Sequence, residues 1–126
     1  MDKLVIEGGK TLEGEARVHG AKNAVLPILA ATVLNSGKNV IHGCPDLKDV
    51  RSSINILRHL GCGVHREGDT LIVDSAGITN CEIPEGLMHE MRSSVIFLGA
   101  ILARFGRAVT SLPGGCECLL CRCSAA

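Results

Sequence analysis

Two short runs open the chain with strand-like patterning. "KLVIEGG" (residues 3–9) ends in Gly8 and Gly9, and "GEARVHG" (14–20) alternates polar and apolar positions up to Gly20, so each predicts a β-strand. "AKNAVLPILAATVLNSG" (21–37) then predicts a helix closed by Gly37, and its apolar positions run nearly all round, which predicts a buried helix. "NVIHG" (39–43) predicts a third strand. In "PDLKDVRSSINILRHLGC" (45–62), Val50, Ile54, Leu57 and Leu60 recur at helical spacing, with Asp46 and Asp49 expected in the first turn and Arg58 and His59 in the last, each on the favourable side of the helix dipole. "GVHREGDTLIVD" (63–74) predicts a hairpin turning at Gly68-Asp69. "EGLMHEMRSSVIFLGAILARFG" (85–106) predicts one long helix stopped by Gly106, and "RAVTSL" (107–112) a last strand.

Helices and strands that alternate with so little polar filler predict a mixed α/β chain of the α+β type, with helices buried under sheet. Pro27 complicates the first helix. It has no N–H to give to the Asn23 carbonyl, which leaves backbone groups near Lys22 and Asn23 open to another partner; the plainer alternative is that Pro27 simply starts the regular helix.

Charge narrows the function classes. Thirteen basic and thirteen acidic residues cancel in the 126-residue chain, so no field favours nucleic acid or an anionic membrane. The two aromatic residues, Phe97 and Phe105, are too few for a base-stacking platform. "VIFLGAILA" falls far short of the ~20 apolar residues a bilayer requires. The start "MDKLVIEGG" has neither a basic nor an apolar leader region, and the expected location is the cytosol. No GxGxxG or GxxxxGK[ST] phosphate loop occurs.

Seven cysteines, an odd number, argue against a disulfide framework. Cys44, Cys62 and Cys81 are scattered and read as small core hydrophobes. Cys116, Cys118, Cys121 and Cys123 are instead crowded as C-x-C-x₂-C-x-C, a set of thiols that could bind Zn²⁺ or Cu⁺ from a tail. That leaves two readings of Cys116: one ligand of such a cluster, or the thiol of the glycine-rich loop "SLPGGC".

"GAKNAVLPILAA", "LKDV", "MRSSVIFLGAILARFG" and "SLPGGC", in that order and spacing, resemble the UDP-N-acetylglucosamine 1-carboxyvinyltransferase family of enolpyruvyl transferases. The likeness runs from residue 1 to about Glu117 and covers well under half of the family's usual length. It implies part of an inside-out, barrel-like α/β domain with buried helices and outer sheets, in a two-domain enzyme of peptidoglycan precursor synthesis. The implied reaction adds the sugar's 3-hydroxyl to C2 of phosphoenolpyruvate and then expels phosphate. No cofactor and no resident metal are implied. By motif match, Lys22 and Asn23 fall on the phosphoenolpyruvate site, Arg92 on the UDP-N-acetylglucosamine site, and Cys116 on a proton donor that can also bond covalently to substrate. None of the five histidines matches a family site.

After Glu117 the resemblance stops. Arg122 lies six positions past Cys116, where the family places an arginine at five, and the glycine and proline around that arginine are missing. The expected organisation is therefore a partial transferase domain over 1–117 and a cysteine-rich tail over 118–126. Were Cys121–Ala126 encoded TGT CGG TGC TCG GCC GCC, a start one base later would read Val-Gly-Ala-Arg-Pro, so the tail is expected to be out-of-frame translation. A fragment lacking the second domain, with its carboxylate base, is expected to be inactive alone. Two alternatives stay open: a transferase acting on shikimate phosphate, and a small metal-binding protein using the tail cysteines.

Overall fold

A computed structural model of the chain describes residues 3–111. Its elements are α1 (Lys22–Ala31), a 3-10 turn (Thr32–Leu34), β1 (Lys38–Ile41), α2 (Lys48–Leu60), β2 (Gly63–Glu67), β3 (Thr70–Asp74), β4 (Glu82–Ile83), α3 (Glu85–His89), a second 3-10 turn (Arg92–Val95), α4 (Ile96–Phe105) and β5 (Val109–Thr110). The mixed α/β class is as expected.

The three-stranded sheet has the order β1-β3-β2. β3 is antiparallel to both neighbours, pairing Lys38 with Asp74 on one side and Gly63 with Asp74 on the other. β1-α2-β2 is thus a crossover unit split by an inserted strand. β3 alternates in burial, so Leu71 and Val73 are wholly buried while their neighbours are half-exposed. Those two join a core with Leu29, Val50, Leu57, Leu60 and Phe97, each covered completely. Burial of one such side chain contributes about 1.5–3 kcal/mol.

α2 is the most regular element. Its apolar stripe faces the core, Asp49 lies in its first turn, and Gly61 closes it at φ +107, where a side chain would be strained. It begins at Lys48, so Asp46 stands before the helix and not in its first turn. There Asp46 makes a two-pronged pair with Arg51, at 2.8 and 2.6 Å.

Further expectations change. Residues 3–20 form neither predicted strand: they are without regular structure and exposed, with Leu4 87% and Leu12 95% accessible. Alternation makes a strand only when a partner edge takes up its N–H and C=O groups, and no described segment pairs with it. The predicted helix over 85–106 is broken at Met91, which is extended at φ −149° and ψ 145°. The break lets Met88 and Met91 both bury, and Ser94 Oγ donates to the Met88 carbonyl at 2.9 Å. The strand over 107–112 shrinks to β5, which pairs in parallel with the unanticipated β4, Glu82 opposite Val109 and Ile83 opposite Thr110. Parallel strands need a crossover connection, and α3 to α4 supplies it.

Burial of α1 and α4 is one-sided. Val25, Leu26, Leu29 and Ala30 are buried, as are Phe97, Ala100 and Ile101, whereas Ile28, Leu34, Val95 and Leu102 are each about half-exposed. Arg104 ties α4 to the 3-10 turn after α1 by donating to the Val33 carbonyl at 2.7 Å.

Candidate functional site

The start of α1 is built by a close approach. Gly20 lies against the turn after β1 so tightly that a Cβ there would overlap the Gly43 carbonyl oxygen. The chain then passes Ala21, which caps α1 in an extended conformation without a side-chain hydrogen bond. The helix starts at Lys22 and runs through Pro27, which settles the alternative left open by sequence: Pro27 does not start it. The Asn23 carbonyl therefore has no N–H four residues on to bond. The Ala21 carbonyl accepts from Ala24 and Val25, both at 3.1 Å, while no side chain caps the N–H groups of the first turn. Such groups carry partial positive charge and favour an anion.

Lys22 adds a full charge at the same place. Its Nζ lies 2.5 Å from Asp49 Oδ2, at the first turn of α2. The two helix beginnings are thus fastened side by side. One turn on, Ser53 Oγ donates to the Asp49 carbonyl at 2.9 Å and approaches Met91 Sδ at 3.6 Å. Met91 precedes Arg92, so the same face of α2 that holds Lys22 also backs the segment carrying Arg92. Arg92 opens its 3-10 turn and is exposed. Of the residues expected from sequence, Lys22 and Asn23 share the α1 start and Arg92 follows the segment packed on α2; Cys116 lies outside the described residues. The tail cysteines Cys118, Cys121 and Cys123 and the boundary at 117 lie outside them too.

Asp49 was not singled out as a site residue. Its signal in the sequence, an acidic residue in a helix first turn, is what ordinary helix stabilisation also provides. Only the packing of α1 on α2 shows that it answers Lys22.

A cleft of about 360 Å³ lies nearby, between the approach to α1 and the turns after β1 and β2, lined among others by Arg17, His19, Asp46, Arg66 and Asp69. None of Lys22, Asn23 or Arg92 lines it. Arg66 braces it, one Nη donating to the carbonyls of Cys44 and Pro45 at 3.1 and 3.2 Å and the other lying 3.6 Å from Asp46. Both Nη groups of Arg66 thus have partners within the wall, whereas its Nε is buried without one. Asp46 is held below the usual carboxylate range, chiefly by its hydrogen bonds from Arg51.

The described thiols lie in or beside the core, and three imidazoles have surface partners. Cys44 and Cys62 are buried, Cys81 is half-buried, and all three are free. Burial pushes the Cys62 thiol up to about 11, which keeps it protonated and unreactive at neutral pH. His59, His65 and His89 pair at the surface with Asn80, Glu67 and Glu85. Among the described residues, no group of three or more His, Cys, Asp and Glu side chains could hold a metal, and no helix is long and apolar enough to cross a membrane.

Comparison with known proteins identifies the family. The chain is 55% identical over 117 residues to UDP-N-acetylglucosamine 1-carboxyvinyltransferase 2 of Caldanaerobacter subterraneus subsp. tengcongensis, a match covering 93% of this chain and 28% of that protein. It is 50% identical over 117 residues to UDP-N-acetylglucosamine 1-carboxyvinyltransferase of Dichelobacter nodosus, covering 92% and 28%. The chain thus spans little more than a quarter of the length of these curated relatives. Its fold is similar to the crystal structure of the enolpyruvyl transferase NikO from Streptomyces tendae, with a TM-score of 0.70 and 30% identity over 80% of this chain and 24% of that one. Residues 6–118 match the family described as EPSP synthase (3-phosphoshikimate 1-carboxyvinyltransferase). With that match running from the segment before α1 through both sheets, the chain belongs to the EPSP synthase family of enolpyruvyl transferases.

Proposed function

We propose that this chain supplies part of the active site of a cytosolic enzyme that transfers the enolpyruvyl group of phosphoenolpyruvate to the 3-hydroxyl of UDP-N-acetylglucosamine. The observation that carries the reading is the start of α1: an uncapped helix beginning bearing a lysine, in a chain 55% identical over 117 residues to a relative of that name. Phosphoenolpyruvate brings a phosphate and a carboxylate, and such a site favours anions by both dipole and charge. Lys22 is the cation for that substrate, and Asn23 donates from its amide. Arg92 faces the nucleotide sugar.

In the reaction the hydroxyl oxygen adds to C2 of phosphoenolpyruvate, its proton passes to a base, and C3 takes a proton to become a methyl group. Loss of a proton from C3 and of phosphate from C2 then restores the double bond as an enolpyruvyl ether. Cys116 is the donor to C3; a free thiol titrating near 8.5 is mostly protonated at neutral pH. The base and the further cations belong to the part of the enzyme outside this chain. That part also has a surface to cover, the half-exposed apolar face of α1 and α4.

The test is a chimera in which residues 1–117 are joined to the remaining segment of the Caldanaerobacter relative. It is expected to release phosphate from phosphoenolpyruvate when UDP-N-acetylglucosamine is present, and to lose this activity on Lys22→Ala. Turnover with shikimate 3-phosphate instead would assign the other acceptor. The 126-residue chain alone is expected to release none, and turnover by it that depends on Cys116 would overturn this division of the site.

A further inference from the structure

We infer that Asp49 is a positioning residue that holds the Lys22 ammonium at the paired beginnings of α1 and α2, where an anionic substrate would meet it. The inference rests on the functional reading above and deepens it. A lysine in the first turn of a helix opposes the helix dipole, so its placement there is not explained by the stability of α1. Asp49 sits the favourable way round, an acid in the first turn of α2. Its carboxylate offsets the misplaced charge from 2.5 Å away.

The two partners differ in how firmly they are fixed. The Lys22 side chain is 49% exposed and that of Asp49 only 22%. Asp49 is anchored in a thirteen-residue helix whose next residue, Val50, is completely buried, and its own carbonyl accepts from Ser53. The carboxylate is therefore the fixed member and the ammonium the one it directs, with its open side towards solvent. A flexible four-carbon stem ending in a point charge needs such a tether to present that charge at one place.

The role separates from a purely structural one in two measurements. In the full 126-residue chain, Asp49→Asn is expected to raise acylation of Lys22 by an amine-reactive ester about two- to fivefold, the range an exposed ion pair accounts for. Lys3, Lys10, Lys38 and Lys48 in the same sample serve as internal references and are expected to be unchanged. In the chimera described above, Asp49→Asn is expected to raise KM for phosphoenolpyruvate about tenfold while KM for UDP-N-acetylglucosamine stays the same, with Asp49→Glu recovering part of the loss. Equal labelling of Lys22 in both forms overturns the inference. So does an active chimera whose KM for phosphoenolpyruvate ignores the substitution, and that outcome leaves the functional reading standing. A chimera inactive with Asp49 in place removes the functional reading and this inference with it.

Discussion

Gly20 and Gly43 touch backbone to backbone: a single Cβ on residue 20 would overlap the carbonyl oxygen of residue 43. Two positions later the chain presents Lys22, so the turn after β1 decides where the candidate site begins. Gly20→Ala is expected to push the segment before α1 away from that turn and to weaken the Lys22–Asp49 pair. Increased acylation of Lys22 in the variant, with far-ultraviolet circular dichroism unchanged, would show the displacement. Unchanged acylation would mean the contact yields without moving the lysine. A Gly43→Ala change acts differently, since Gly43 has open space for a Cβ but a φ of +66, and its cost is backbone strain of about 1–2 kcal/mol.

Alkaline pH tests the core through Cys62. Its thiol is raised to about 11 from a usual 9, mainly by burial, with Asp74 pushing the same way and Arg104 opposing. The folded state therefore holds this proton more tightly than the unfolded state does. The corresponding stability is fully present below pH 9 and is lost as pH climbs towards 11. Denaturant midpoints measured across pH 8–11 are expected to fall for the native sequence and to fall less steeply for Cys62→Ala. Parallel curves would show that Cys62 does not set the slope.

The apolar face of α1 and α4 makes a paired prediction. Ile28 is 48% exposed and Leu102 50%, whereas Phe97 on the opposite side of α4 is fully buried. Leu102→Glu is expected to leave stability nearly unchanged and to reduce fluorescence of a hydrophobic dye bound to the chain. Phe97→Ala is expected to cost about 3–5 kcal/mol. If Leu102→Glu unfolded the chain, that face would have to be buried in solution.

Legibility in the sequence followed the range of the forces involved. The hairpin at Gly68-Asp69 and the stripe along α2 were readable because both are written in neighbouring residues. The break at Met91 was not. The segment has neither proline nor a capping signal there, and what rewards the kink is the joint burial of Met88 and Met91 in a core assembled from distant elements. The strands expected over 3–9 and 14–20 carried correct local patterning, but a strand also needs an edge to pair with, and patterning does not say where that edge comes from. Lys22 and Asn23 were singled out through motif, and both lie in the first turn of α1. Asp49 became visible only once α1 lay on α2.

The sequence after Glu117 calls for a test at the level of the gene. We propose that residues 118–126 are out-of-frame translation. Resequencing from the Leu112 codon onward is expected to reveal another frame reading Gly-Ala-Arg-Pro and continuing. A clean frame would instead make the three tail cysteines genuine, and stoichiometric zinc lost on replacing Cys118, Cys121 and Cys123 with serine would then identify a metal site.

The inserted position of β3 gives the two edges of the sheet unequal sequence separations. β1 has one neighbour in the sheet, and that neighbour is β3, which follows it only after all of α2 and β2. β2 and β3, by contrast, meet across a tight turn. The hairpin is the contact of low sequence separation and is expected to form first, with β1 joining a finished edge afterwards. α1, joined to β1 and packed on α2, lies on the late side of that sequence. The lysine of the candidate site is thus expected to reach its place after the hairpin has formed, and amide exchange in β1 is expected to open before that in the hairpin.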